Sequence, residues 1–127
     1  MDGILGIGSH SESIQQQIER EVSAWAGVTT GPHRFGGIEF RVGRRELGHL
    51  HGSQLADLPF PVRVREQLVA AGRAEPHHVL PESGWVSYAI RDARDVAPVV
   101  ALFRMNYERP WVGARSERSA DAASKGR

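Results

Sequence analysis

Ile38-Glu39-Phe40-Arg41-Val42-Gly43-Arg44-Arg45-Glu46-Leu47-Gly48-His49-Leu50-His51 is the stretch that decides the fold. Ile38, Phe40 and Val42 alternate with Glu39 and Arg41, the period of two of a half-buried strand. Gly43-Arg44 places glycine first in a two-residue turn, so the return strand runs from Arg45 to His51. Paired without irregularity, the hairpin sets Arg41 against Glu46, a favourable cross-strand pair that engages the carboxylate. It also sets Phe40 against Leu47 and Ile38 against His49. Side chains two apart share a face. Leu47, His49 and His51 are therefore expected to continue the apolar face, with both imidazoles turned inward beside Gly36, Gly37 and Gly52.

Helical patterns flank this hairpin. Ser9 and Glu12 have capping-box spacing, and Ile14, Ile18, Val22 and Trp25 form one apolar stripe that Gly27 stops. Downstream, Leu55 to Pro61 reads as a connection with two prolines. Pro61 suits the first turn of a second helix, with Val64, Leu68 and Ala71 inward and Gly72 at its end. His77 to Leu80 is a short extended piece, Pro81 to Gly84 a turn, and Trp85 to Arg91 a strand. A last helix starts near Asp92 or Asp95, tolerates Pro98 in its first turn, and ends at Pro110. The order α-β-β-α-β-β-α, with hairpins and segregated helices, predicts an α+β domain on a small antiparallel sheet.

The 127 residues make one domain by length. The expected organisation is a loose lead-in over residues 1–8, a single globule over 9–112, and a tail over 113–127. That tail has no large apolar side chain and cannot offset its ordering entropy by burial. Cysteine is absent, which excludes disulfides, thiolate nucleophiles and cysteine metal sites. Basic and acidic residues number 16 and 15, so a strongly basic nucleic-acid binder is not expected. No stretch reads as a signal h-region or a membrane span, and the expected address is the cytoplasm. Monomer and homodimer remain equally open.

Chemistry concentrates in histidine: five of the six lie between positions 33 and 78. His49-x-His51 on a strand sends two imidazoles to one side, roughly 6.5–7 Å apart along the backbone. Such a pair suits two ligands of one ion, or a base and its partner. Of His77 and His78, adjacent in extended chain, at most one faces the pocket of His49. Glu39, Glu46, Asp57 and Glu82 are the nearby carboxylates. Asp57 either orients a histidine or caps its loop. Without a convincing carboxylate or cysteine set, neither a bound metal nor another cofactor is expected.

Four ordered blocks resemble the luciferase-domain family. They are Pro32-His33-Arg34-Phe35-Gly36-Gly37-x-Glu39-Phe40, then Gly43-x-x-Glu46-Leu47-Gly48-His49-Leu50-His51-Gly52, then Asp57-Leu58-Pro59-Phe60-Pro61 with Arg65, and finally Pro76 to Ser87. The family's fungal namesake oxidises 3-hydroxyhispidin, a hydroxylated pyrone, with molecular oxygen. The resemblance implies binding, with cofactor-independent oxygenation, of an enolisable or aromatic small molecule. His49, His51 and His78 are the candidate catalytic residues. His33, Arg34, Phe40, Phe60 and Trp85 are the candidate substrate-binding residues. A non-catalytic ligand-binding or interaction domain and a histidine-metal enzyme are the alternatives.

Overall fold

The computed structural model describes residues 12–33 and 36–110. Ser9, the lead-in, Arg34 and the tail lie outside the described residues. The chain runs α1 (Ile14–Ser23), β1 (Val28–Pro32), β2 (Ile38–Val42), β3 (Arg45–His51), β4 (Leu55–Pro59), α2 (Val62–Ala70), β5 (Glu75–Pro76), β6 (Trp85–Ala89), a 3-10 turn (Ala93–Asp95) and α3 (Val96–Glu108). The six strands form one sheet in the order β1-β2-β3-β4-β6-β5, with every pair antiparallel. It is an α+β fold, as expected, with two more strands in its order than the sequence suggested.

Both additions have physical reasons. Val28–Pro32 pairs along the whole of β2 as an edge strand, where a terminal proline loses no needed hydrogen bond. Leu55–Pro59 looks like a connection because it carries Asp57 in its middle and a proline at its end. In the folded chain it is a central strand between β3 and β6. Ala56 and Leu58 fill one face of it and Asp57 the other. Burial against neighbours on both sides overrides the poor strand propensity of aspartate and proline.

Helix α1 begins one turn later than the Ser9 cap would place it. Ser13 is the cap: its hydroxyl accepts from the Gln16 amide while the Gln16 side chain accepts from the Ser13 amide. Ile18 and Val22 are buried, and Trp25, just past the helix, tilts against Tyr107 of α3 at 5.2 Å. α1 and α3 pack on each other, and α3 lies across β3 and β4. Phe103 of α3 meets Phe40 at 5.0 Å in the centre of the core. Helix α2 packs beside β5 and β6 instead.

The hairpin departs from its expected register at one residue. Arg41 does lie opposite Glu46, but Phe40 pairs with Gly48, Glu39 with His49 and Ile38 with Leu50. Leu47 has no partner in β2; it is the extra residue of a β-bulge. A one-residue slip inverts every later side chain. Gly48 and Leu50 therefore join the helix-covered face with Phe40. His49 and His51 turn to the opposite face, against the expectation that they continue the apolar stripe. Gly48 must be glycine, since a Cβ there would stand 2.9 Å from the Phe103 ring and 2.8 Å from the Asp57 carbonyl.

Asn106 holds the bulge. It is fully buried, and its amide donates to the Leu47 and Pro59 carbonyls, each at 3.0 Å. Its own Oδ1 accepts from Arg109 at 2.9 Å. Replacing it with leucine leaves two buried carbonyls without donors. Asn106→Leu is expected to destabilise the fold by about 2–4 kcal/mol, read as a lowered midpoint in urea with an unchanged slope. A loss below half a kcal/mol would mean that the bulge stands without this bridge.

Candidate functional site

The face turned away from α1 and α3 carries a row of polar side chains in register across the strands. Glu39 pairs with His49, His49 with Asp57, Asp57 with Ser87, and Ser87 with Glu75. Asp57 is the hub, only 1% exposed. Its Oδ1 accepts from the Ser87 hydroxyl at 2.6 Å. Its Oδ2 is approached by Nε2 of His51 at 3.1 Å, of His49 at 3.4 Å and of His77 at 3.5 Å.

The bulge gives His49 a second carboxylate. Residues 46 and 49 would lie on opposite faces of a regular strand. The extra residue puts them on the same face, and His49 Nδ1 meets Glu46 Oε2 at 2.8 Å. Glu46 is not consumed by Arg41, as the bare register suggests. The Arg41 guanidinium instead binds Glu39 on its own strand and the Arg44 carbonyl.

Two loops bring the other rings. Gly36 and Gly37 both have positive φ, and a Cβ on Gly37 would stand 2.0 Å from the Leu50 carbonyl oxygen. That close approach, closed by hydrogen bonds between His33 and the two glycines, stacks the His33 ring on His49 at 3.9 Å. From the other side comes the loop after β5. His77 Nδ1 accepts from the Val79 and Leu80 amides, each at 3.1 Å. With Nδ1 an acceptor, the neutral ring carries its proton on Nε2, the atom turned to Asp57. Arg65 ties this loop down through the Pro81 carbonyl at 2.6 Å. Trp85 stands between the groups, 5.4 Å from His49 and 6.0 Å from His77. Val79 and Leu80 are exposed and give the rim an apolar edge.

The expected site residues divide accordingly. His49, His51, His33 and Trp85 come together on one face. His78 is exposed and stacks on His77 at 4.4 Å, so it sits at the rim. Phe40 and Phe60 belong to the buried core, and Phe40 lies on the far face of the sheet, so neither shares a surface with the histidines. Arg34 lies outside the described residues. Two partners carry no clear signal in the sequence: Ser87 is one strand residue among several, and His77 is indistinguishable from His78. Of the two readings open for Asp57, orienting a histidine is the one its contacts match, from a strand where a loop was expected. A cavity of about 360 Å³ lies at the β5–β6 end of the sheet, lined by Arg73, Glu75, Pro76, Ser87 and Tyr88 among others, and none of the clustered histidines lines it.

Burial alone would push His49 down, but its hydrogen bonds to Asp57 and Glu46 prevail and raise its pKa to about 9. Burial would likewise push Asp57 up, yet the hydrogen bonds from His49 and Ser87 and the nearby His77 bring it down to about 2. These two shifts describe largely one interaction seen from its two ends. His33 and His77 move the other way, lowered chiefly by burial.

Residues 44–106 match the sequence profile of the family described as the Luciferase domain. Over this segment, just under half of its length, the chain is similar to the luciferase-domain family. No curated protein and no solved structure matches the chain. The family segment spans β3 to α3 and so contains His49, His51, Asp57, His77, His78, Trp85 and Ser87, while His33 comes from outside it. Among the described residues no helix is long and apolar enough to cross a membrane.

A stability measurement checks the His49 pairing. A histidine with a raised folded pKa stabilises fully below its ordinary value of 6.5 and loses that contribution as pH rises towards about 9. His33 and His77 oppose this, so the informative quantity is the difference between wild type and Glu46→Gln, in chelator so that only protons compete for the rings. The gap in melting temperature should be widest between about pH 5 and 6.5 and should narrow as pH approaches 9. A gap that stays constant or widens across that range would show that Glu46 does not hold the His49 proton.

Proposed function

We propose that this domain binds a small aromatic or enolisable molecule, of the hydroxypyrone kind, against its histidine face and supports oxidation of that molecule by molecular oxygen. The observation that carries the reading is the joining of His33, His49, His51, His77 and Trp85 around one buried carboxylate in a chain similar to the luciferase-domain family. Flat rings and an apolar rim suit a flat, partly apolar ligand, offering offset-stacked and edge-to-face contacts.

Oxygen reacts poorly with closed-shell molecules but accepts an electron from an electron-rich enolate. The protein's task is then to remove a proton and shelter the anion. Imidazole suits the first step, with an ordinary pKa of about 6.5. On this reading the substrate's enol proton passes to a ring at the open rim, and His78, the most exposed of the cluster, is the candidate acceptor. His51, a third exposed at its side chain, lies next in reach. His49, enclosed by Glu46, Asp57 and His33, orients and charges the site rather than meeting the substrate proton directly.

The test uses the purified chain with a 4-hydroxy-2-pyrone and an oxygen electrode. Wild type should bind the pyrone and consume oxygen. Folded His78→Gln and His51→Gln variants should still bind it while oxygen uptake falls by about a hundredfold or more in at least one of them. Glutamine keeps hydrogen-bonding capacity but cannot act as an imidazole. Wild-type uptake in both folded variants would remove the rim histidines from the chemistry, and binding without uptake in wild type would leave a ligand-binding domain.

A further inference from the structure

We infer that His49, His51 and Asp57 form a site for one divalent first-row transition-metal ion, with Glu46 and Ser87 fixing the ligands from behind. The lack of a convincing carboxylate or cysteine set was the reason for expecting no metal, and the fold brings Asp57 of β4 against two imidazoles. Each histidine nitrogen already stands at coordination-shell separation from the aspartate oxygen. Bonds of about 2.0–2.2 Å from an ion to imidazole nitrogen and carboxylate oxygen put neighbouring donors roughly 3.0–3.5 Å apart. His51 Nε2 and His49 Nε2 stand 3.1 and 3.4 Å from Asp57 Oδ2. All three residues can place a ligand atom within 4.8 Å of the others.

The outer atoms are occupied in the way that a metal site requires. Ligating histidines characteristically donate their other ring N–H to a carboxylate, and ligating carboxylates are themselves hydrogen-bonded. His49 Nδ1 is on Glu46 at 2.8 Å and Asp57 Oδ1 is on Ser87 at 2.6 Å, so Nε2 and Oδ2 are the atoms left to face an ion, which binds there by displacing the protons now shared between the rings and Asp57. The alternatives around this trio are weaker. His77 and His78 can form a trio with Asp57, but Nδ1 of His77 is spent on two backbone amides, so its Nε2 carries hydrogen instead of a lone pair. The trio of His33, Glu46 and His49 would take as a ligand the carboxylate that holds His49 Nδ1 from behind.

Two imidazoles and one carboxylate leave open positions for water, substrate or oxygen. Such a donor set suits iron(II), cobalt(II) or zinc rather than magnesium or calcium. The preference for iron among these rests on the oxidising role proposed above; the binding of an ion does not.

The experiment titrates cobalt(II) into chelator-stripped, tag-free, full-length protein, following visible absorption and calorimetric heat. One equivalent per chain should bind. The His49→Gln/His51→Gln double variant should lose that equivalent, with circular dichroism confirming that it is folded. Glu46→Gln should weaken binding by about 10–100-fold, as expected for a group behind a ligand. Should the double variant fail to fold, His51→Gln alone, at the least buried ligand, gives the same reading. No binding by wild type, or full binding retained in the folded histidine variants, would overturn the site. Stoichiometric cobalt without oxygen uptake by the iron(II)-loaded protein would keep the site and sink the oxidising role. Oxygen uptake by stripped protein that binds no cobalt would do the reverse.

Discussion

The extra residue at Leu47 is the constraint on which the rest of the structure turns. A strand without it would send Leu47, His49 and His51 to the core and Gly48 and Leu50 outward. With it, the strand changes sides halfway along. Arg45, before the bulge, reaches over the core face to the end of α3, where its guanidinium meets the Asn106 carbonyl at 3.0 Å. His49, after it, faces the opposite way beside Glu46. The cost of the irregularity is an unpaired backbone segment in the middle of a sheet. Asn106 meets that cost from the helix, so the core and the polar face are joined at the same residue.

The polar row that results has to justify its own burial. Asp57 is almost wholly removed from water, and a carboxylate in that position is tolerated only when it is paired and hydrogen-bonded. Serine on one side and imidazoles on the other supply this. The arrangement explains why a central strand can carry aspartate. It also explains why the rings are fixed in orientation, since each is held by a carboxylate, a stacked neighbour or backbone amides.

The helices and the hairpin were legible because their signals are local. The stripe of Ile14, Ile18 and Val22, the alternation from Ile38 to Val42 and the proline opening α2 each depend on a few adjacent residues. β4 was not legible, because its strand character comes from flanking strands and not from its own residues. The His-x-His spacing correctly placed two imidazoles on a common face, yet the wrong face, since nothing in Glu46-Leu47-Gly48 announces a bulge except the glycine. Two of the four family blocks lie wholly within the segment that matches the family profile, and a third lies within it but for Gly43. They did not separate Phe40 and Phe60, which build the core, from Trp85, which stands among the histidines.

The division of labour between the two faces has a bearing on how such a domain diversifies. Phe40, Leu50, Leu58, Val86 and Phe103 carry the packing on one side, and the imidazoles and their carboxylates lie on the other. Exchanging a ring at the rim therefore leaves most of the folding free energy untouched. Insertion or loss of a single residue in β3 does not, because it would trade histidine for leucine at every later position. Lineages sharing this sheet are thus free to change their chemistry one side chain at a time, while the length of one strand is held fixed.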